Sequence, residues 1–329
     1  MSERREPKGD SGVHGLVLFG ESARQKAKEK DIYSFENVDQ ENKIKIISQL
    51  APHGSQYRYS VLIINESVAP VTEVKLRIKY PNFLTLIRIT PATAFSPPKK
   101  EEKDIEQVLV ELEQISEHSK KQINFYFDPK SVNNKGKIST YTTFVNTQDF
   151  VRVINTESII MNIEKISLMP KVIPGQEIQD FLKKKGIKKA VKSLGIAIKT
   201  PPDLLIQLNH LEQVIKMQNL QLVAKDENKH ILWFYGTDIH SKEDILVIGQ
   251  LTADKIEFLA ASKNHQLLIV LLAILTEDFK KRILSTGIIS STAQILDVEC
   301  KFCGNILPYF PEQNELIECH NCHKEQTLW

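Results

Sequence analysis

The chain has 329 residues, 41% of them apolar, and its 43 Lys and Arg against 41 Asp and Glu leave a formal charge of +2. That length supports two ordinary domains plus a small module, and the balanced charge excludes a global field pulling the protein to nucleic acid or membrane. Any electrostatic partner is therefore met locally. The longest uninterrupted apolar run, Leu267 to Leu275, is far short of the roughly 18 residues of a membrane span and reads as a buried helix segment. The opening Met-Ser-Glu-Arg-Arg-Glu has no apolar leader, and no cysteine occurs before position 300. Both point to a cytoplasmic protein, with peripheral contact at membranes as an extension.

In chain order, residues 1–40 mix both charge signs around one apolar patch, Leu16-Val17-Leu18-Phe19, and read as a mobile tail with that patch as a docking segment. Residues 41–168 carry period two, the mark of half-buried strands. Val74, Leu76, Ile78 and Tyr80 alternate with Glu73, Lys75, Arg77 and Lys79 in the clearest case. Further strands are expected over 43–50, 57–63, 83–89, 105–115, 122–127, 138–145 and 158–163. Seven to nine short strands broken by turn residues make an antiparallel sandwich, with the Pro-rich stretch Pro91 to Lys100 as a loop.

The period then changes. Residues 169–199 read as a basic helical linker, with one or two short helices over 176–194 that carry Lys183, Lys184, Lys185, Lys188, Lys189 and Lys192. Thr200-Pro201-Pro202-Asp203 opens a stronger helix, with a capping hydroxyl, prolines at the first turn and an acid near the positive dipole end. Leu204, Leu208, Leu211 and Ile215 share one face of it. Four strands follow at 220–225, 229–235, 245–251 and 255–261. A last helix runs from Asn264 to Arg282, with Gly287 as a stop. Residues 200–290 are thus an α-β-β-β-β-α unit, and the fold class is α+β multidomain.

All four cysteines lie in Cys300-Lys-Phe-Cys303 and Cys319-His-Asn-Cys322. Two C-x-x-C pairs fifteen residues apart supply the four thiolates of a structural zinc site, so residues 296–329 read as a zinc ribbon with one Zn2+. So short a segment cannot bury enough apolar surface to fold alone, whereas structural zinc contributes on the order of 10–16 kcal/mol. Gly304 suits a knuckle that turns at positive φ. His320 and His323 are solvated neighbours, because four thiolates complete the shell. On this reading Cys303→Ser releases the metal and unfolds only residues beyond about 296.

A sandwich followed by an α-β-β-β-β-α unit resembles the appendage, or ear, of the coatomer gamma subunit and the large adaptins. The local likeness lies in His230-Ile-Leu-Trp-Phe-Tyr-Gly236, Asp244-Ile-Leu-Val-Ile-Gly-Gln-Leu251, Lys255-Ile-Glu-Phe-Leu-Ala-Ala-Ser262 and Leu267-Leu-Ile-Val-Leu-Leu-Ala-Ile274. The resemblance implies an immunoglobulin-like sandwich joined to a platform. It also implies a non-catalytic, adaptor-like module that recruits other proteins or short peptide motifs. The family's peptide pocket centres on a tryptophan of an early platform helix, and Phe181 stands at the nearest place here.

Trp233 and Tyr235 share one strand face and serve either as a protein-docking surface or, more plainly, as core. The six lysines are candidates for an anionic membrane surface, against the plainer reading of a solvated face. Nucleic acid, approached through ribbon and lysines, is the less favoured alternative. No phosphate loop, nucleophile elbow or paired-histidine metal motif occurs, so neither an enzyme nor a small-molecule substrate is expected.

Overall fold

The computed structural model describes residues 42–329 except positions 94, 103, 199–202 and 253. The expected tail, with Leu16 to Phe19, and the Thr200-Pro201-Pro202 cap lie outside the described residues. The fold is mostly antiparallel β-sheet.

The first body contains β1 (Ile44–His53), β2 (Gln56–Asn65), β3 (Val71–Pro81), β4 (Leu84–Thr90), β5 (Phe95–Glu102), β6 (Ile105–Ile115), β7 (Ser119–Pro129), β8 (Asn134–Val145), β9 (Val151–Asn155) and β10 (Ile159–Ile163). One sheet has the order β1-β2-β7-β4, the other β10-β8-β3-β6-β5, with β9 also paired to β8. Strand alternation places Val74, Leu76, Ile78 and Tyr80 inside with Val61, Ile63, Phe125 and Phe127, so the two inner faces form one core.

Two elements differ from the sequence reading. The Pro-rich stretch is not wholly loop: β5 pairs with β6 through two register shifts, one of them spanning Pro97 and Pro98. At a sheet edge, proline's missing amide costs no ladder bond. β9, Val-Arg-Val-Ile-Asn, was not expected as a strand, although its alternation is legible and Val151 and Val153 stay exposed.

The second body begins with β11 (Leu168–Pro170), α1 (Glu177–Lys183), β12 (Lys188–Ile196) and α2 (Leu204–Met217). It continues with β13 (Gln221–Asp226), β14 (Ile231–Asp238), β15 (Asp244–Leu251), β16 (Ile256–Ser262) and α3 (His265–Ser285). After the 3-10 turn Thr292–Gln294, β17 (Ile295–Asp297) returns to the sheet, whose order is β11-β14-β15-β16-β12-β17, with β13 on β14. Asp203 itself caps α2, accepting the Leu205 amide at 2.8 Å. Asn264 caps α3, and Gly287 turns with φ +73° beyond its end.

The basic linker is corrected here. Only Glu177–Lys183 is helical, and Lys188–Ile196 is a strand between β16 and β17. Its lysines masked a period-two pattern: Ala190, Lys192 and Leu194 face the helices, while Lys189, Val191 and Ser193 face away. The unit is therefore β-α-β-β-β-β-α, closed by β17.

α3 explains why Leu267 to Leu275 is apolar all round. Leu268, Leu271, Leu272 and Leu275 pack on the sheet beside Leu208 and Leu211 of α2, while Ile269 and Val270 join the sandwich core. A helix covered on both sides keeps no polar stripe. The His265 ring adds a hydrogen bond of 2.8 Å to the Gly54 carbonyl between β1 and β2.

Lys192 is the second correction: it is 3% exposed and unavailable to any external surface. Its Nζ lies 2.8 Å from Asp128 of β7, 3.0 Å from Asp297 of β17 and 3.6 Å from Glu299. Arg88 of β4 lies 3.6 Å from Glu299, donates to the Gln56 Oε1 at 2.6 Å and stacks over the Tyr126 ring at 3.8 Å. Burial alone would neutralise the lysine, but the three carboxylates outweigh it and raise its pKa well above the ordinary value. With three acids around two cations, burial holds the Asp128 and Glu299 carboxyls above their ordinary range.

Lys192→Met leaves these carboxylates buried without their cation and is expected to cost about 3–5 kcal/mol, read as a shift in the urea midpoint. Asp128 adds a pH dependence. Its folded pKa is raised, so the folded chain keeps a proton that the unfolded chain has released, and stability falls as pH rises through that window. Asp128→Asn is expected to flatten this slope in urea midpoints taken between about pH 4 and about pH 7.

Candidate metal centre and its docking surfaces

Both knuckles of the C-terminal segment are built by the same backbone device. The Gly304 amide donates to the Cys300 carbonyl at 2.8 Å, and the Cys300 amide donates to the Asn305 carbonyl at 2.8 Å. Nineteen residues on, the His323 amide donates to the Cys319 carbonyl at 2.8 Å, and the Cys319 amide to the Lys324 carbonyl at 3.1 Å. Gly304 turns at φ +78° as expected, and His323 takes the equivalent left-handed position at φ +56°. Its ring turns to Glu318, 2.9 Å away, and is not part of the sulfur cluster. The short strands β18 (Ile317–Glu318) and β19 (Glu325–Gln326) pair behind the second knuckle.

The four Sγ atoms of Cys300, Cys303, Cys319 and Cys322 lie within 4.8 Å of one another, and none is in a disulfide. Cys300 and Cys322 are 3.6 Å apart and Cys303 and Cys319 3.5 Å. A tetrahedron with metal–sulfur bonds of about 2.3 Å has edges of about 3.8 Å, so this donor set fits one ion with four thiolates. Burial pushes the Cys300 thiol up to about 12. At Cys303 burial also acts upward, but hydrogen bonds, first from the Asn305 amide and then the Asn321 side chain, hold the thiol down to about 7. Amides aimed at sulfur favour the thiolate form that a metal requires.

The segment is docked, not tethered. Val298, Leu307 and Ile317 form its small core with Cys300 and Cys319. Gly304 sits directly against the Arg88 guanidinium of the sandwich, where an added Cβ would clash. Phe310, stacked on Trp329 at 5.8 Å, covers Gly195 of β12 in the same Cβ-excluding manner. The Phe310 amide donates to Asp254 at 3.1 Å, and the Lys255 Nζ donates to the Leu307 carbonyl at 3.3 Å. Asp297 and Glu299, just before the first knuckle, complete the Lys192 cluster.

The other expected site residues separate. Phe181 of α1 and Tyr235 of β14 are 4% and 3% exposed and meet edge to face at 5.4 Å. They are core, together with Ile178, Leu246 and Ala261, and offer no docking surface. Trp233 is half-buried in the next cross-strand row, Val191-Leu259-Ile248-Trp233, which α1 covers only in part. Lys183, Lys184, Lys185, Lys188 and Lys189 are exposed; of the six lysines Lys192 alone turns inward. Among the described residues no helix is long and apolar enough to cross a membrane.

Arg88, Asp128, Asp297 and Glu299 had no signal in the sequence, since these members of the Lys192 cluster come from three separate segments far from it in the chain.

No family model matches the sequence, and no curated protein matches it. Among solved structures, the chain is similar to the major pilin SpaD of Corynebacterium diphtheriae, at 12% identity over 47% of this chain and 42% of that one, with a TM-score of 0.30. It is also similar to the major pilin subunit BcpA of Bacillus cereus, at 9% identity over 66% of each chain and a TM-score of 0.27. A non-cellulosomal cohesin from Archaeoglobus fulgidus matches at 18% identity over 33% of this chain and 82% of that one, with a TM-score of 0.22.

The docking changes what loss of the metal does. Cys303→Ser is expected to abolish metal content and to lower the melting temperature of the whole chain, because the segment that carries Asp297 and Glu299 is held by the same knuckle. Elemental analysis and calorimetry check both; a melt confined to residues beyond 296 restores the simpler expectation.

Proposed function

We propose that this chain is a non-catalytic, adaptor-like protein-interaction module, of the appendage type found in vesicle-coat subunits, whose C-terminal ribbon holds one structural Zn2+. The observation that carries the reading is the half-covered apolar row Val191-Leu259-Ile248-Trp233 on the sheet face that α1 only partly shields. A row of this kind, with a tryptophan at one end, is the usual makeup of a protein-binding patch. In this reading the first body is the immunoglobulin-like sandwich and the second the platform. The four-thiolate site is closed, and zinc suits it because structural zinc takes four thiolates in a tetrahedron. Its work is to hold sandwich and platform at a fixed angle.

The exposed lysines 183–185, 188 and 189 favour a second reading, contact with an anionic partner such as a cytoplasmic membrane surface or, less favoured, nucleic acid. The two readings part on salt. Protein partners held through the apolar row stay bound at about 150 mM salt and are lost in Ile248→Asp, whereas binding to phosphates weakens steeply with added salt. The full chain and this variant are compared by affinity capture from a nuclease-treated extract and by titration with random duplex. Tight, salt-sensitive duplex binding, unchanged in Ile248→Asp, would overturn the adaptor reading.

A further inference from the structure

A cleft of about 530 Å³ opens where the sandwich meets the platform. β1 lines one side with Leu50, Ala51 and Pro52, and β10 lines another with the four consecutive residues Ile159–Asn162. These strands end the two different sheets of the sandwich, and among the described residues each pairs on one side only. An unpaired strand edge is a template for another strand. The apolar side chains there are short of cover: Leu50, Ile159 and Ile166 are only partly buried against the sandwich core, and Ile160 is 57% exposed.

The chain carries a segment of matching character outside the described residues. Of the 41 residues before Asn42, the longest apolar run is Leu16-Val17-Leu18-Phe19, set between Gly15 and Gly20. Four residues of strand span about 13 Å, the length that Ile159–Asn162 presents. Twenty-four residues join Phe19 to Ile44. Fully extended they reach about 80 Å, more than twice the roughly 33 Å length of β1, so the tether does not limit access. Being in the same chain, the segment meets the cleft at an effective concentration on the order of millimolar, which a free partner rarely attains.

We propose that Leu16–Phe19 seats in this cleft as an added strand on the free edge of β10, covering Leu50, Ile159 and Ile160. β10 is chosen over β1 because Pro52 lacks the amide that a ladder needs. Bounding glycines let the backbone enter and leave without side-chain conflict.

Hydrogen exchange on the full chain tests this. The amides of Ile159–Ile163 are expected to exchange at least tenfold faster in the double variant Leu16→Asp, Leu18→Asp than in the natural sequence, while those of β3 stay unchanged. A synthetic peptide of residues 11–24, added to the variant, is expected to restore protection. Ile160→Asp, at an exposed position, is expected to reproduce the loss with the tail intact. Equal exchange in all three chains overturns the proposal, and so does protection that rises with protein concentration, which would place a second copy in the cleft.

Discussion

The buried ammonium of Lys192 constrains the whole arrangement. A lysine inside a protein stays charged only when carboxylates surround it, and its partners come from β7, β17 and the approach to the first cysteine knuckle. Satisfying one side chain thus requires the sandwich, the second body and the C-terminal segment to meet at a single point. Arg88 extends the same logic, reaching Glu299 on one side while its guanidinium is covered by Gly304 on another. Charged contacts of this kind specify one geometry, since any other leaves several carboxylates buried and unpaired.

Apolar packing reinforces the geometry. α3 gives Ile269 and Val270 to the sandwich and Leu268, Leu271 and Leu272 to the second body, so the two cores share a helix. Phe310 on Gly195 fixes the C-terminal segment to β12, the strand that also carries Lys192. The four-cysteine cluster, a candidate metal site, stands at the same junction: its two knuckles hold residues that both larger bodies need. A module of this construction presents surfaces at set angles, which suits the adaptor reading proposed above.

The two faces of the seven-stranded sheet are covered differently. One face is filled by α2 and α3. The other is covered by α1 over Tyr235, Leu246 and Ala261, by Phe310 over Gly195, and only partly between them, where Trp233 lies. Phe181, the residue expected at a peptide pocket, is buried against Tyr235 as core.

Periodicity alone determined much of this protein. Alternation gave β3 and β6 closely, a 3.6 period gave α2, an apolar run with a basic end gave α3, and the spacing of Cys300, Cys303, Cys319 and Cys322 gave the sulfur cluster. The strand and helix signals are local, since each depends on residues within one or two turns of each other, and the cysteine signal rests on two local C-x-x-C pairs. β12 was misread because six lysines in a row of ten suggested a solvated helix, and composition cannot tell a lysine at a strand end from one that burial pairs with three acids. β5 was missed because proline is compatible with an edge strand only once the edge is known. What the tertiary structure decided is which lysine turns inward, which aromatic residues become core, and where Gly195 and Gly304 are pressed. Each depends on partners dozens to hundreds of residues away, and no local pattern records them.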